Sequence, residues 1–146
     1  MYSLFINNKH GSLVYQRNFT TAVQLSANDA IRLASTFHGL SAIAAQVSPA
    51  SPEKGNPFAA LHPRGINLIE ADNFRLQCLE TRTGLKFVLV AELGLSPATV
   101  EGSLRRVYEA YADYVLKNPF YDADMPIRCH LFDREIEKIF ADYITV

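Results

Sequence analysis

Cysteine is scarce in this chain of 146 residues: Cys78 and Cys129 lack the paired spacing of a disulfide scaffold or a zinc site. Both read as reduced thiols of a cytosolic protein. An excess of one charge is missing too. With 14 basic and 15 acidic residues the formal net charge is −1, so no global positive field exists to hold nucleic acid or an anionic membrane. No apolar run approaches the roughly 20 residues that a membrane helix needs. The opening "MYSLFINNKHG" has no basic n-region and no small-residue cleavage site. It reads as a strand, not a signal peptide.

Catalytic patterns are also sparse. The seven glycines are scattered, and none sits in GxxxxGK or GxGxxG. His10, His38, His62 and His130 have no partner at metal-ligand spacing. His10 reads as a turn residue, His62 as a loop residue, and His38 as a packed or surface polar group within a helix. Cys129 and His130 are adjacent in an extended segment, where neighbouring side chains point opposite ways. Cys129 therefore reads as a small buried hydrophobe. Asp122 and Asp124 lack a third ligand and read as solvated turn residues. "FHGLSA" lacks the G-x-S-x-G spacing and lies inside a helical pattern. No active site is legible, and no cofactor or metal is expected.

What is present is apolar surface. Apolar residues make up 49% of the chain, enough for a full core in one domain spanning 1–146. "YSLFIN" and "SLVYQRNF" predict two strands, joined at "NKHG" by a tight turn. From about Asn28 to Val47 the period becomes helical, with Ala30, Leu33, Ala34, Phe37, Leu40, Ala44 and Val47 on one stripe. Ser26 or Asn28 caps its start. "SPASPEKGNP", at 48–57, reads as a flexible loop.

"GINLIEA", "FRLQCLET" and "LKFVLVAEL" predict three more strands, the last two joined at "RTG". The last is apolar on both faces, with Leu85, Phe87 and Leu89 on one and Val88 and Val90 on the other. Such a strand is covered from both sides. Ser96-Pro97 starts a helix with Val100, Leu104, Val107, Tyr111 and Tyr114 as its stripe. Arg105 and Glu109 are spaced to pair on its outer side. "FDREIEKIFADYI" predicts a last helix with Ile136, Ile139, Phe140 and Tyr143 on its apolar face. The order β-β-α-β-β-β-α-α predicts an α/β (α+β) sandwich: a five-stranded antiparallel sheet, one helix on one face and two on the other. That order is shared by the longin, or SNARE-like, family.

Two segments carry more apolar surface than their positions require. The first helix has Ile31, Ala42, Ile43 and Ala45 off its main stripe, with small Ser35, Gly39 and Ser41 among them. It is either a deeply packed core helix or one with a second face that docks on a partner. The connection "LKNPFYDADMPIRCHLFD", 116–133, spends Phe120, Tyr121, Met125 and Ile127 where regular helix is impossible. It is either a packed connection or an interface. A mixed reading has Phe120 and Ile127 packing inward, with Tyr121, Met125 and the charges facing outward.

"RRVYEAYADYVLKNPFYDADMPIRCHLFD", with "LASTFHGLSAIAAQVSP", "NLIEADNFRLQCLETRTGLKFVLVAE" and "SLFINNKHGSLVYQ", closely resembles the synbindin-type subunits of the TRAPP (transport protein particle) complex. The resemblance covers nearly the whole chain. It implies a longin-type domain in a cytosolic multisubunit tether, peripheral at Golgi and ER-Golgi vesicle membranes. It also implies a non-catalytic contribution to guanine-nucleotide exchange on a Rab-family GTPase in ER-to-Golgi transport. The implied partners are other TRAPP subunits, including a second longin-type neighbour, and the GTPase. Lys117, Asn118, Pro119, Tyr121, Met125, Pro126, Ile127 and Arg128 match the family motif and are expected to face the GTPase. Phe37, His38, Ala42 and Ile43 are expected to pair with another subunit. Animal members carry a PDZ-like insertion between the second strand and first helix, where this chain has only a short link after Phe19. A structural longin adaptor that binds SNARE or coat proteins without exchange activity needs the same fold and surface, and remains the alternative.

Overall fold

Alternating branched and aromatic residues start the chain as a hairpin: β1 (Ser3–Asn7) and β2 (Leu13–Asn18) pair antiparallel. The structure is a computed structural model that describes residues 1–20, 26–47, 66–122 and 124–143. The proline-rich stretch at 48–57 lies outside the described residues. Gly11, at φ +84°, supplies the left-handed position of the β1–β2 turn. Leu13 pairs with Asn7 and Tyr15 with Ile6, so Val14 is an extra residue that forms a β-bulge. The bulge directs both Val14 and Tyr15 into the same core.

The sheet is completed by β3 (Leu68–Glu70), β4 (Arg75–Glu80) and β5 (Lys86–Ala91). Its order is β2-β1-β5-β4-β3, with every neighbouring pair antiparallel. β3 is shorter than the run "GINLIEA" predicts. Gly84, at φ +89°, turns β4 into β5.

The doubly apolar β5 sits at the centre of the sheet, which is why both of its faces are covered. Phe87, Leu89 and Ala91 join a large core with α2 (Pro97–Tyr111) and α3 (His130–Ile139). Val88 and the half-buried Val90 join a smaller core under α1 (Ala27–Val47). One helix on one face and two on the other follow directly from this division.

Ser96 accepts a hydrogen bond from the Thr99 N–H at 3.2 Å and precedes Pro97, as a capped helix start requires. Val100, Leu104, Val107 and Tyr111 are all buried. Tyr111 and Tyr108 meet Phe87 edge-on, with ring centroids 5.5 and 5.8 Å away. Arg105 pairs with Glu101 at 2.8 Å and not with Glu109 as its spacing also allowed. The helix widens into a π turn over Ala112–Leu116, then stops before Pro119. Phe132, Ile136 and Phe140 form the buried face of α3, while Ile139 and Tyr143 are only partly covered.

α1 is capped by Ser26, whose Oγ accepts from the Asp29 N–H at 3.2 Å. Its buried residues are Ala30, Ala34, Phe37 and Ser41. Leu40 and Val47, expected on the sheet-facing stripe, are 49% and 76% exposed. The small side chains of Ala30, Ala34 and Ser41 let the helix seat closely along their own row. Polar anchors reinforce that rotation. Asn7 Nδ2 donates to the Ala34 carbonyl at 3.3 Å, and the Ile66 N–H donates to Ser41 Oγ at 3.3 Å.

Candidate functional site

The connection between the π turn and α3 is built as two turns tied to the β1–β2 hairpin. Asn118 and Pro119 hold the first two positions of the opening turn, a favoured pairing for these residues. Its closing bond runs from the Tyr121 N–H to the Asn118 carbonyl at 3.2 Å. Asn118 Oδ1 accepts from the Phe120 N–H at 3.1 Å. In the following turn the Met125 N–H donates to the Asp122 carbonyl at 3.0 Å. Tyr121 Oη bridges the two turns by donating to the Met125 carbonyl, also at 3.0 Å. The Ile127 N–H then donates at 2.8 Å to the carbonyl of Val14, the bulged residue of β2.

These bonds decide which side chains face out. Phe120 is 90% exposed, contrary to the inward position expected for it. Tyr121 does not face outward as expected. It is half-buried, with its ring on the large core. Burial is the main reason its hydroxyl is pushed up to about 12, with neighbouring Tyr111 adding to the shift. Ile127 is in the core, as the mixed reading has it, so its side chain cannot contact a partner and it belongs to the support of the site.

Lys117, Asn118, Pro119, Met125, Pro126 and Arg128 are exposed. Lys117 lies 3.3 Å from Asp113, one turn back, and both side chains are solvated. A surface pair of this kind contributes little to the fold and exchanges partners easily. Leu116 is 55% exposed beside them. The display therefore has an aromatic and two aliphatic groups, flanked by two cations.

The second candidate surface is the outer side of α1. Ala42 is exposed there, and Ile43 is 60% exposed. Ile31, Leu40 and Val47 add further exposed apolar groups. Phe37, expected on this surface, lies against the sheet in the smaller core and supports the helix from beneath. His38 is half-buried and faces inward. Lys86 Nζ lies 3.2 Å from its Nδ1, and a lysine ammonium can only donate. That leaves Nδ1 unprotonated and the ring neutral. Desolvation, then the charge of Lys86, lowers the His38 pKa. A Cβ on Gly11 would come within 2.7 Å of this ring, so the hairpin turn and α1 meet here through glycine.

Leu40 and Val47 were missed as surface groups because each fits the helical apolar stripe, and Phe120 because an aromatic in an irregular connection reads as packed. For Phe120 a signal was available in the Asn-Pro pair two residues earlier, which starts a turn. Cys129, next to Arg128, is half-buried against the large core, less covered than the buried position expected for it. Cys78 lies in the smaller core, and burial pushes its thiol up to about 12. Among the described residues no group of three His, Cys, Asp or Glu is placed to hold a metal ion. None of the described helices is long and apolar enough to cross a membrane.

A five-stranded antiparallel sheet with three helices in this order is a longin- or roadblock-type α/β fold. Solved structures share it: the roadblock/LC7 domain from Streptomyces avermitilis superposes with a TM-score of 0.56 at 14% identity, covering 79% of this chain and 85% of that one. Myxococcus xanthus MglB gives a TM-score of 0.50 at 13% identity, over 76% of this chain and 83% of its own. At such identities the likeness concerns the fold alone. Sequence relationships go further. The chain belongs to the Sybindin-like family, whose model matches residues 1–143. It is 45% identical over 137 residues to trafficking protein particle complex subunit 4 of Dictyostelium discoideum, covering 94% of this chain and 93% of that one. The human subunit 4 is 44% identical over 114 residues, or 78% of this chain, which spans only 47% of that relative's length. Subunit 1 of the same complex from Dictyostelium discoideum is 23% identical over 93% of this chain and 91% of its own.

Proposed function

We propose that this chain is a non-catalytic subunit of a TRAPP tethering complex that acts as a guanine-nucleotide exchange factor for a Rab-family GTPase in ER-to-Golgi transport. The outer side of α1 seats a second longin-type subunit, and the segment from Lys117 to Arg128 meets the GTPase. The complex works in the cytoplasm, at Golgi and ER-Golgi vesicle membranes. The carrying observation is the 45% identity to a TRAPP subunit across 93% of that subunit's length. Identity on that scale brings the whole domain with it, not one motif. The relationship to subunit 1 supports a pairing of like with like, because two chains of one complex then share one ancestry.

The surfaces suit this role. A docking site needs apolar anchors, a charged rim and little entropy to lose on binding. Phe120, Leu116 and Met125 supply the anchors, Lys117 and Arg128 the rim, and the double turn the rigidity. Exchange requires tighter binding to the nucleotide-free GTPase than to the loaded one, because equal affinity shifts nothing. A thousandfold shift of that equilibrium needs about 4 kcal/mol of such preference. One segment of about a dozen residues is small for that, so neighbouring subunits share the work.

The test is nucleotide release from a GDP-loaded Rab GTPase, with the complex assembled with this chain and without it. Release that is fast only in its presence supports the proposal. A complex that assembles on this chain yet leaves release at the intrinsic rate refutes the exchange role and favours a purely structural adaptor.

A further inference from the structure

We infer that Asn8 and Asp124 form a positioning pair that holds the Lys117–Arg128 segment in its docking shape; this rests on the GTPase-facing reading of that segment. Asn8 closes the β1–β2 turn and is 3% exposed. Its Oδ1 accepts from the His10 N–H at 3.0 Å and the Ser12 N–H at 2.9 Å. Its backbone N–H donates to the Ser12 carbonyl at 3.0 Å, and its carbonyl accepts from the Gly11 N–H at 3.1 Å. Two donors on Oδ1 fix the orientation of the amide. The Nδ2 group must then point away from the turn, and it donates to Asp124 Oδ1 at 3.2 Å, across 116 residues of sequence. His10 Nε2 lies 4.0 Å from the same carboxylate oxygen.

The consequence is mechanical. Among the described residues, the segment's one backbone hydrogen bond to the hairpin is Ile127 N–H to Val14, at its far end. The bonds inside the two turns shape the segment, and the Tyr121 ring and Ile127 seat it on the large core. Asn8 supplies the second tether, closer to Phe120. Between Tyr121 and Ile127, both packed on the large core, the bond to Asn8 adds a polar attachment that holds the middle of the loop against the sheet. Asn8 touches no partner in this scheme and acts only through the loop. Its signal in the sequence is weak, since an Asn before a Gly-containing turn is explained by the turn alone.

The experiment uses the assembled complex and a charge exchange. Asn8→Asp keeps an acceptor for the two turn N–H groups but sets a second carboxylate against Asp124. Adding Asp124→Asn returns a donor to the facing position and restores the bond with its direction reversed. The expected result is roughly tenfold faster amide exchange at Tyr121 and Met125 in Asn8→Asp, the scale of one lost bond to a charged group. Nucleotide release should slow in parallel, and the double variant should recover both. Unchanged amide exchange at Tyr121 and Met125 in Asn8→Asp overturns the pair, as does a double variant that stays loose. If Asn8→Asp does not assemble, Asp124→Ala removes the same tether from an exposed side chain and gives the same readout. Faster exchange with unaltered nucleotide release keeps the tether but refutes GTPase docking by the segment, so the two claims fail separately.

Discussion

Replacing Phe120 with alanine separates a ring that holds the fold from a ring that waits for a partner. Fully burying a Phe side chain stabilises by about 1.5–3 kcal/mol. At 90% exposure Phe120 has realised only a small part of that within its own chain. The variant should therefore unfold within about 0.5 kcal/mol of the wild type, the usual range for a surface change. For a chain of this size that is a shift of at most about 2 °C in Tm. The rest of the burial energy is available on docking. Its loss should weaken GTPase binding by roughly 10- to 100-fold at about 1.4 kcal/mol per decade. Phe132 is the control: it is 0% exposed in the large core, and its truncation should cost about 3–5 kcal/mol of stability. Thermal melting of the complex reads the first quantity, and titration of nucleotide-free GTPase reads the second. A Phe120→Ala variant that melts many degrees lower shows that the ring is structural. One that binds the GTPase at wild-type affinity removes the segment's central anchor from the docking surface.

Three further outcomes are expected. Ala42→Arg, at an exposed position on α1, should leave Tm unchanged but cost on the order of 3 kcal/mol in subunit pairing, because the charge would be buried unpaired; co-purification with the neighbouring subunit measures this, and intact pairing would locate the interface elsewhere. His38 has a folded pKa below its ordinary value, with Lys86, Glu80 and His10 the charged or titratable groups facing it. Its contribution is therefore present above about pH 6.5 and is lost as pH falls below that, since the unfolded chain then binds the extra proton; wild type should lose stability relative to His38→Gln between pH 7.5 and 5.5, and parallel curves would contradict the neutral ring. Gly84→Ala should destabilise by roughly 1–2 kcal/mol, because φ is +89° and the new Cβ would meet Lys9 Cβ at 2.8 Å; an unshifted Tm would show that the two hairpin turns can part at no cost.

Local chemistry alone determined much of this protein. The two periods, 2 along β5 and 3.6 along α2, follow from strand and helix geometry and mark the core faces without further information. Ser96-Pro97 and the turn conformations of Gly11 and Gly84 are local, so those roles were legible before any folding, whereas the close approach of His38 to Gly11 and of Lys9 to Gly84 was not. The two-faced apolar run of β5 implied that both faces of the sheet are covered, while its central place came only with the fold. The sheet order itself, with β5 beside β1, was not legible, because hydrogen bonds between distant strands leave no trace in either strand's own pattern.

The tertiary structure decided which apolar groups stay outside. An apolar residue in a helical stripe reads the same whether it meets a sheet or a solvent boundary. Leu40 and Val47 are exposed because close seating through Ala30, Ala34 and Ser41 rotated α1 away from them. Phe120 faces out and Tyr121 in because two turns and a bulged carbonyl on β2, more than a hundred residues earlier, set the direction of the loop. Asn8 finds Asp124 only when the hairpin and that loop have come together. Patterning tells a chain which surfaces are apolar. Only the packing of distant elements determines which of them remain free for another protein.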